Sequence, residues 1–335
     1  MEKLKYYDIG VIPETTTLTE RITLPFKQLN YLLNGLLLDR ITLLTSSTDS
    51  GKTTVSSQII INAVKQGYNT FYFAGEDGGA EARDRLYKQY TEFDKSNFTY
   101  VPYVQNGKQT NCGEYLLSHD KWLKANSFFT NKLFIFNNNL LANKQNLINT
   151  LESARVNDNC KFFVLDNVEM FDLDADNENA SLKDMCIALR QWAISKKVHI
   201  LIVAHIRKIE RNICRPEIFD VKGSSALTNI CKNIITIIRT DKLDKETKEY
   251  QSFARLLELN GFNLEECDSI MEVKKTKGRG LGFCGLKFNK YTQSYYEVEN
   301  KQVQTEEKNI GEKEDKQLLY QLSAEEAKFV DDLFW

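Results

Sequence analysis

From residue 40 to residue 240 the chain alternates between two hydrophobic patterns. Short unbroken apolar runs occur at "ITLLTS" (41–46), "NTFYFAGE" (69–76), "KLFIFN" (132–137), "KFFVLDNVEMF" (161–171), "HILIVAHI" (199–206) and "NIITIIRT" (233–240). Unbroken runs of this length fit strands buried on both faces, because a half-exposed strand would alternate apolar with polar. Between them lie stretches with apolar residues three and four apart, at 53–66, 80–93 and 180–197. In the last of these Leu182, Met185, Leu189, Trp192 and Ala193 share one helical face. Strands alternating with helices predict βαβ units, an α/β fold whose mostly parallel sheet is covered on both faces. Three later runs, "IMEVKKT" (270–276), "FCGLKFN" (283–289) and "SYYEVE" (294–299), predict an antiparallel finish, with "NKYTQ" as the turn between the last two. Residues 97–130 and 241–268 follow neither pattern and are expected to be insertions. Residues 300–318 read as a solvated linker. They lead into "SAEEAKFVDDLFW", where Ser323 and Glu326 have capping-box spacing ahead of a short amphipathic helix.

Composition narrows the class. Hydrophobic residues at 42% and charged residues at 27% of 335 suffice for a sizeable core in a soluble globular protein. No apolar run approaches the roughly 18–20 residues of a membrane helix, and "MEKLKYYDIG" has no signal-peptide core. A cytoplasmic protein without a membrane partner is therefore expected. Seven cysteines without a C-x-x-C pair fit reduced thiols and argue against a zinc ribbon. The formal net charge of −2 argues against a strong overall footprint for nucleic acid. Residues 301–335 hold five lysines against nine carboxylates, which leaves 1–300 mildly positive, so any basic patch must be local.

The candidate chemistry begins at "LLTSSTDSGKTTVSSQII". A phosphate-binding loop needs several backbone N–H groups aimed at one spot, a lysine for the terminal phosphates and a hydroxyl for Mg²⁺, all at a helix start. Ser46, Ser47, Thr48, Asp49, Ser50, Gly51, Lys52, Thr53 and Thr54 occupy that position between a predicted strand and a predicted helix. Ser46 stands where glycine is usual, and Asp49 is tolerable only if its carboxylate points outward. Asp166 ends an apolar strand, as expected of the carboxylate that holds Mg²⁺ with Thr53. Glu76 follows the strand after the loop's helix, on the crevice side of a parallel sheet. From spacing alone it is as readily a solvated loop glutamate as the group that deprotonates water. His205 closes its strand at the same edge, where it can sense a γ-phosphate, whereas His199 at the strand start is expected to be structural.

In order along the chain, these segments resemble those of the hexameric replicative helicases with a RecA-like core, the group of DnaB, Twinkle and the helicase half of phage primase-helicases. The likeness runs from Phe26 to Glu299. It comprises "FKQLNYLLNGLLLDRITLLTSSTDSGKTT", "FYFAGED", "VLDNVEMF", "ILIVAHIRK", "VKGSSALTNICKNIITIIR" and "VKKTKGRGLGFCGLKFNKYTQ". The resemblance implies a RecA-like P-loop NTPase using ATP and Mg²⁺, with Glu76 as catalytic base and His205 as γ-phosphate sensor. It further implies a homo-oligomeric, hexameric ring on single-stranded DNA. The DNA loop would lie at "RKIERNICR", so Arg207, Lys208, Arg211 and Arg215 are expected on the strand's phosphates, with Lys222, Gly223, Ser224 and Ser225 bordering the channel. The implied domains are an arm at 1–25, the ATPase domain at 26–299 and an acidic tail at 300–335. The tail resembles those that dock a replication partner, such as a polymerase, primase or single-strand-binding protein. A helix packed on its own chain is an equal alternative.

Two features depart from the pattern. The family's arginine finger, which acts in the neighbour's site, aligns with Lys277, so Lys275, Lys277 and Arg279 share the candidacy. Upstream of Phe26 there is no primase, zinc ribbon or helical collar. The resemblance implies a replicative helicase in a bacterial host cytoplasm if phage-encoded. A filament-forming recombination ATPase or a nucleotide-gated loader with weak turnover are the other readings.

Overall fold

The computed structural model describes residues 20–91, 94–105, 108–136, 144–168, 178–207, 215–222 and 224–300. The expected tail helix and the loop positions Lys208, Arg211 and Gly223 lie outside the described residues. The chain divides into two compact units, Met1–Val298 and Glu299–Trp335.

After a short two-stranded sheet of β1 (Arg21–Ile22) and β2 (Leu36–Leu37), with α1 (Lys27–Leu33) between them, comes the main core. Its parallel strands are β3 (Ile41–Ser46), β4 (Thr70–Ala74), β7 (Leu133–Ile135), β8 (Phe162–Asp166), β9 (His199–His205) and β10 (Asn233–Arg239). The antiparallel strands β11 (Ser269–Lys275), β12 (Gly282–Asn289) and β13 (Ser294–Glu297) extend one edge, giving the order β13-β12-β11-β10-β3-β9-β8-β4-β7. Five of the six unbroken apolar runs are thus central strands, whereas "KLFIFN" forms β7, an edge strand whose residues are only half-buried. Ile41, Leu43 and Leu44 of β3 and Ile200–Ala204 of β9 are essentially inaccessible.

Helices cover both faces. α2 (Lys52–Lys65), α3 (Gly79–Tyr90) and α4 (His119–Phe129) pack with α1 on one side. α5 (Lys144–Asn157), α6 (Glu178–Lys196) and α7 (Ser224–Ile230) cover the other, where Met185, Leu189, Trp192 and Ala193 of α6 face the sheet as their spacing predicts. Ile22 and Leu24, upstream of Phe26, are also buried in this core.

Both segments without a pattern in the sequence are folded. Residues 97–130 form a hairpin of β5 (Phe98–Gln105) and β6 (Lys108–Leu117), followed by α4. Tyr100, Tyr103, Val101 and Val104 of the hairpin are exposed, so it lacks the clean burial pattern of a core strand. Residues 241–268 contain α8 (Lys248–Leu259), capped by the Thr247 hydroxyl accepting from the Tyr250 N–H. Phe253 and Leu257 of α8 join Phe262, Leu264 and Cys267 in a small core against Ile238, Ile270 and Phe283.

The antiparallel extension is fastened to the start of the domain. Phe26 offers no side-chain cap to α1. Instead the Glu297 carboxylate of β13 accepts the backbone N–H groups of Lys27 and Gln28 at 2.6 and 2.7 Å. A carboxylate there satisfies orphan donors and the positive helix end together. Replacing Glu297 with Ala is expected to cost about 1–2 kcal/mol, read as a lower denaturant midpoint with an unchanged slope; an unchanged midpoint would show that the cap contributes nothing.

Candidate nucleotide site

The site forms where the parallel strands end. Register places Ser46 beside His205 and Ala74 beside Asp166, so β3, β9, β8 and β4 deliver their last residues to one crevice. The loop from Ser47 to Gly51 leads straight into α2, with its positive end facing the same space.

Ser46 replaces the usual glycine by acquiring a function of its own. Its buried hydroxyl donates to the Ile237 carbonyl of β10, fastening the loop's first bend to the sheet. Asp49 is exposed, with φ +55°. Outside the cradle, Arg239 donates to the Asp49 carbonyl at 3.2 Å and Lys242 to the Thr48 carbonyl at 3.0 Å. Gly51 has φ +87°, and a Cβ there would meet the Tyr295 hydroxyl at 2.5 Å, so both conformation and space demand glycine. The Lys52 ammonium donates to the Ser47 carbonyl at 2.7 Å and is itself buried within the loop.

Asp166 lies at the base of this crevice, 4% exposed. It accepts from the Ser56 hydroxyl at 3.1 Å. Burial pushes its carboxyl up to about 6, against the opposing pull of the Thr53 and Ser56 hydroxyls and of Arg85. Arg85 of α3 is paired with Asp77 and lies 3.3 Å from the Ser57 hydroxyl. A buried carboxylate with an adjacent Thr53 hydroxyl suits a divalent cation, whose charge would offset the burial cost. Among the described residues no group of three or more His, Cys, Asp or Glu forms a metal cage by itself.

Glu76 and His205 meet through a residue the sequence did not single out. The Asn167 amide donates to Glu76 Oε1, and His205 Nε2 lies 3.0 Å from both groups. The Glu76 side chain is about half exposed, at 49%, and can reach a water in the crevice. His199 is fully buried at the other end of β9, donating from Nδ1 to the Leu37 carbonyl at 2.7 Å. Burial pushes it down to about 4, as suits a neutral structural histidine.

The three finger candidates lie elsewhere. β11 runs antiparallel to β10, so Ser269 pairs with Arg239 near the loop while Lys275 pairs with Ile234 at the far end. The Lys275 ammonium donates to the Thr228 carbonyl at 2.8 Å, and the Arg279 guanidinium stacks 4.5 Å over Tyr31 of α1. Lys277 lines a cleft of about 430 Å³ with Asp39, Arg40, Ile194 and Lys232. Burial and the surrounding cations Arg190, Lys277, Arg40 and Lys275 lower the Lys232 ammonium. None of the three belongs to the edge that carries the chain's own loop.

The basic residues assigned to DNA also separate. Arg207 and Lys222 are exposed near the end of β9, and Ser224 begins α7. Arg215 does not join them: it forms a bidentate ion pair with Glu272, whose other partner Lys274 lies at 3.0 Å. Its charge is spent on tying the segment before α7 to β11.

The Asp166 environment gives a pH test. A carboxyl raised in the folded state contributes stability below its ordinary range near 3.8, and this is lost as pH rises through about 6. Asp166→Asn, measured without Mg²⁺ or nucleotide, is expected to raise stability by about 1–3 kcal/mol at pH 7–8 and by nothing near pH 4. A uniform loss at every pH would contradict it.

Comparison with known proteins places this geometry in context. The AAA domain family profile matches residues 12–211, a span holding the loop, Glu76, Asp166 and His205. No curated protein sequence matches the chain. Among solved structures it is similar to the ATPase domain of another protein, with a TM-score of 0.62 at 16% identity over 85% of this chain and 94% of that one. It is similar to a DnaB-like replicative helicase, with a TM-score of 0.63 at 16% identity over 85% of this chain and 64% of that one. A KaiC-like protein from the hyperthermophilic archaeon Pyrococcus horikoshii OT3 gives a TM-score of 0.53 at 12% identity, over 84% and 100% of the two chains. These likenesses establish a RecA-like α/β fold. With a matched span of more than half its length, the chain belongs to the AAA domain family.

Proposed function

We propose that the chain is an ATP-dependent replicative DNA helicase, moving along single-stranded DNA as a hexameric ring with ATP hydrolysed between copies. One observation carries this reading. The loop, Asp166, Glu76 and His205 occupy the carboxyl edge of the sheet, while Lys275, Lys277 and Arg279 occupy the opposite end. Cations so placed can complete a site only on a second copy.

The chain's residues divide the reaction as follows. The loop amides and Lys52 bind the β- and γ-phosphates of ATP. Thr53 and Asp166 would hold Mg²⁺, which when bound neutralises charge on the phosphate oxygens. Glu76 accepts a proton from water as its oxygen bonds to the γ-phosphorus and the bond to the departing ADP breaks. Asn167 aligns Glu76 against His205. Lys277, the finger candidate beside the cleft, would steady developing charge on the neighbour's phosphates as a point charge.

DNA contact is assigned to Arg207 and Lys222, together with Lys208, Arg211, Gly223 and Ser224, and docking of a replication partner to the apolar-tipped acidic segment 323–335. A cytoplasmic setting fits the five buried free cysteines among the described residues.

ATP turnover should rise when single-stranded DNA is added, and Glu76→Ala should lower it by about 10²-fold or more while ATP binding persists. Turnover indifferent to DNA would remove the motor reading. Turnover surviving Glu76→Ala would remove the glutamate's role.

A further inference from the structure

Among the described residues between β9 and α7 is a 3₁₀ turn, Ile218–Asp220, and the residues around its exposed ring are tied down. Glu217 and Asp220 cap the turn reciprocally, with the Glu217 N–H donating to Asp220 Oδ2 at 2.8 Å. The Glu217 carboxylate pairs with Lys274 at 3.0 Å, and Arg215 pairs with Glu272. Ile218 packs on the core, while Asp220 and Val221 are buried. The turn is also bound to the end of β9. Ile206 bridges Val221, the Arg207 N–H donates to the Asp220 carbonyl at 2.7 Å, and the Lys222 N–H donates to the His205 carbonyl at 3.0 Å.

Phe219 is the exception, 64% exposed. A single apolar side chain on a surface is ordinary. This one differs in being an aromatic ring on a hydrogen-bonded backbone that also carries two exposed cationic residues, Arg207 and Lys222. The backbone of Arg207 is hydrogen-bonded to Asp220, the next residue, and Lys222 follows three positions after the ring. An exposed ring on such a backbone, with cationic residues close by in the chain, suits an unpaired base and its phosphates: the π-face accepts any base, and cations supply the attraction to the backbone.

We propose that Phe219 is a stacking platform for a base of single-stranded nucleic acid, with Arg207 and Lys222 engaging the adjoining phosphates. The inference rests on the DNA-motor reading and deepens it. Because the platform is bridged to the last residues of β9, a displacement of the stacked base moves the segment carrying His205.

The test uses the full chain with a thymidine oligonucleotide. Phe219→Ala is expected to weaken binding roughly five- to hundredfold while leaving the salt dependence unchanged, since stacking releases no counterions. Arg207→Ala should weaken binding and also lower the salt slope by about one. Phe219→Tyr should bind as the unaltered chain does. In Phe219→Trp, emission beyond that of the three native tryptophans should be quenched by the oligonucleotide and not by heparin, a polyanion without bases. Equal binding by Phe219→Ala, or equal quenching by heparin, overturns the inference and leaves DNA binding standing. Loss of assembly in Phe219→Ala with unchanged affinity per subunit assigns the ring to contact between copies, and also overturns it. An unaltered chain that binds no oligonucleotide removes both the platform and the motor reading.

Discussion

The carboxylate of Asp166 is buried at the base of the site, and the groups around it answer the cost of burying it. An isolated charge in a protein interior is strongly unfavourable, so neighbouring groups must answer it. Three elements do. Thr53 and Ser56 of α2 offer hydroxyls, and Arg85 of α3 contributes a positive charge held in place by Asp77 after β4. These partners fix α2 and α3 against the sheet, and α2 carries the phosphate loop at its start. Burial still prevails, since the carboxyl remains raised. The residual imbalance is what suits the place to a divalent cation and, with it, to a triphosphate.

The same sheet separates complementary chemistry. Parallel strands bring Ser46, His205 and Asp166 to one edge, and the antiparallel return of β11 carries Lys275 to the other. Lys275 is held by the Thr228 carbonyl and Arg279 by Tyr31, whereas Lys277 stands in a cleft crowded with cations. An anionic group brought by a second copy would relieve that crowding. At the first edge, the bridge between Ile206 and Val221 joins the end of β9 to the turn bearing Phe219. The phosphate side and the proposed nucleic-acid side are therefore linked by a short run of backbone hydrogen bonds.

Much of this was legible in the sequence because it depends on local pattern. Buried runs such as "ITLLTS" are central strands, and the strand–loop–helix order around Lys52 follows from the same pattern. The hairpin at 98–117 was not legible, because strands with exposed faces and Pro102 lack a core pattern. For α8 a signal existed: Thr247 as cap, then Tyr250, Phe253, Ala254 and Leu257 at helical spacing, obscured by many charges. Asn167 between Glu76 and His205, and Arg215 on Glu272, could not be read, since both depend on strand register across dozens of residues. Arg215 shows the limit well: a basic loop position points to phosphates until a buried carboxylate claims it.

The central claim is that each site is completed by a second copy, and mixing two inactive chains tests it directly. One chain carries Glu76→Ala. The other carries Lys277→Ala with Arg279→Ala and keeps its own glutamate. ATP turnover of the co-assembled mixture is measured against each chain alone at equal concentration. Completion in trans predicts turnover in the mixture that neither chain shows, because intact glutamates then face intact cations. Turnover that stays at the sum of the two separate chains, in a mixture shown to co-assemble, would contradict it.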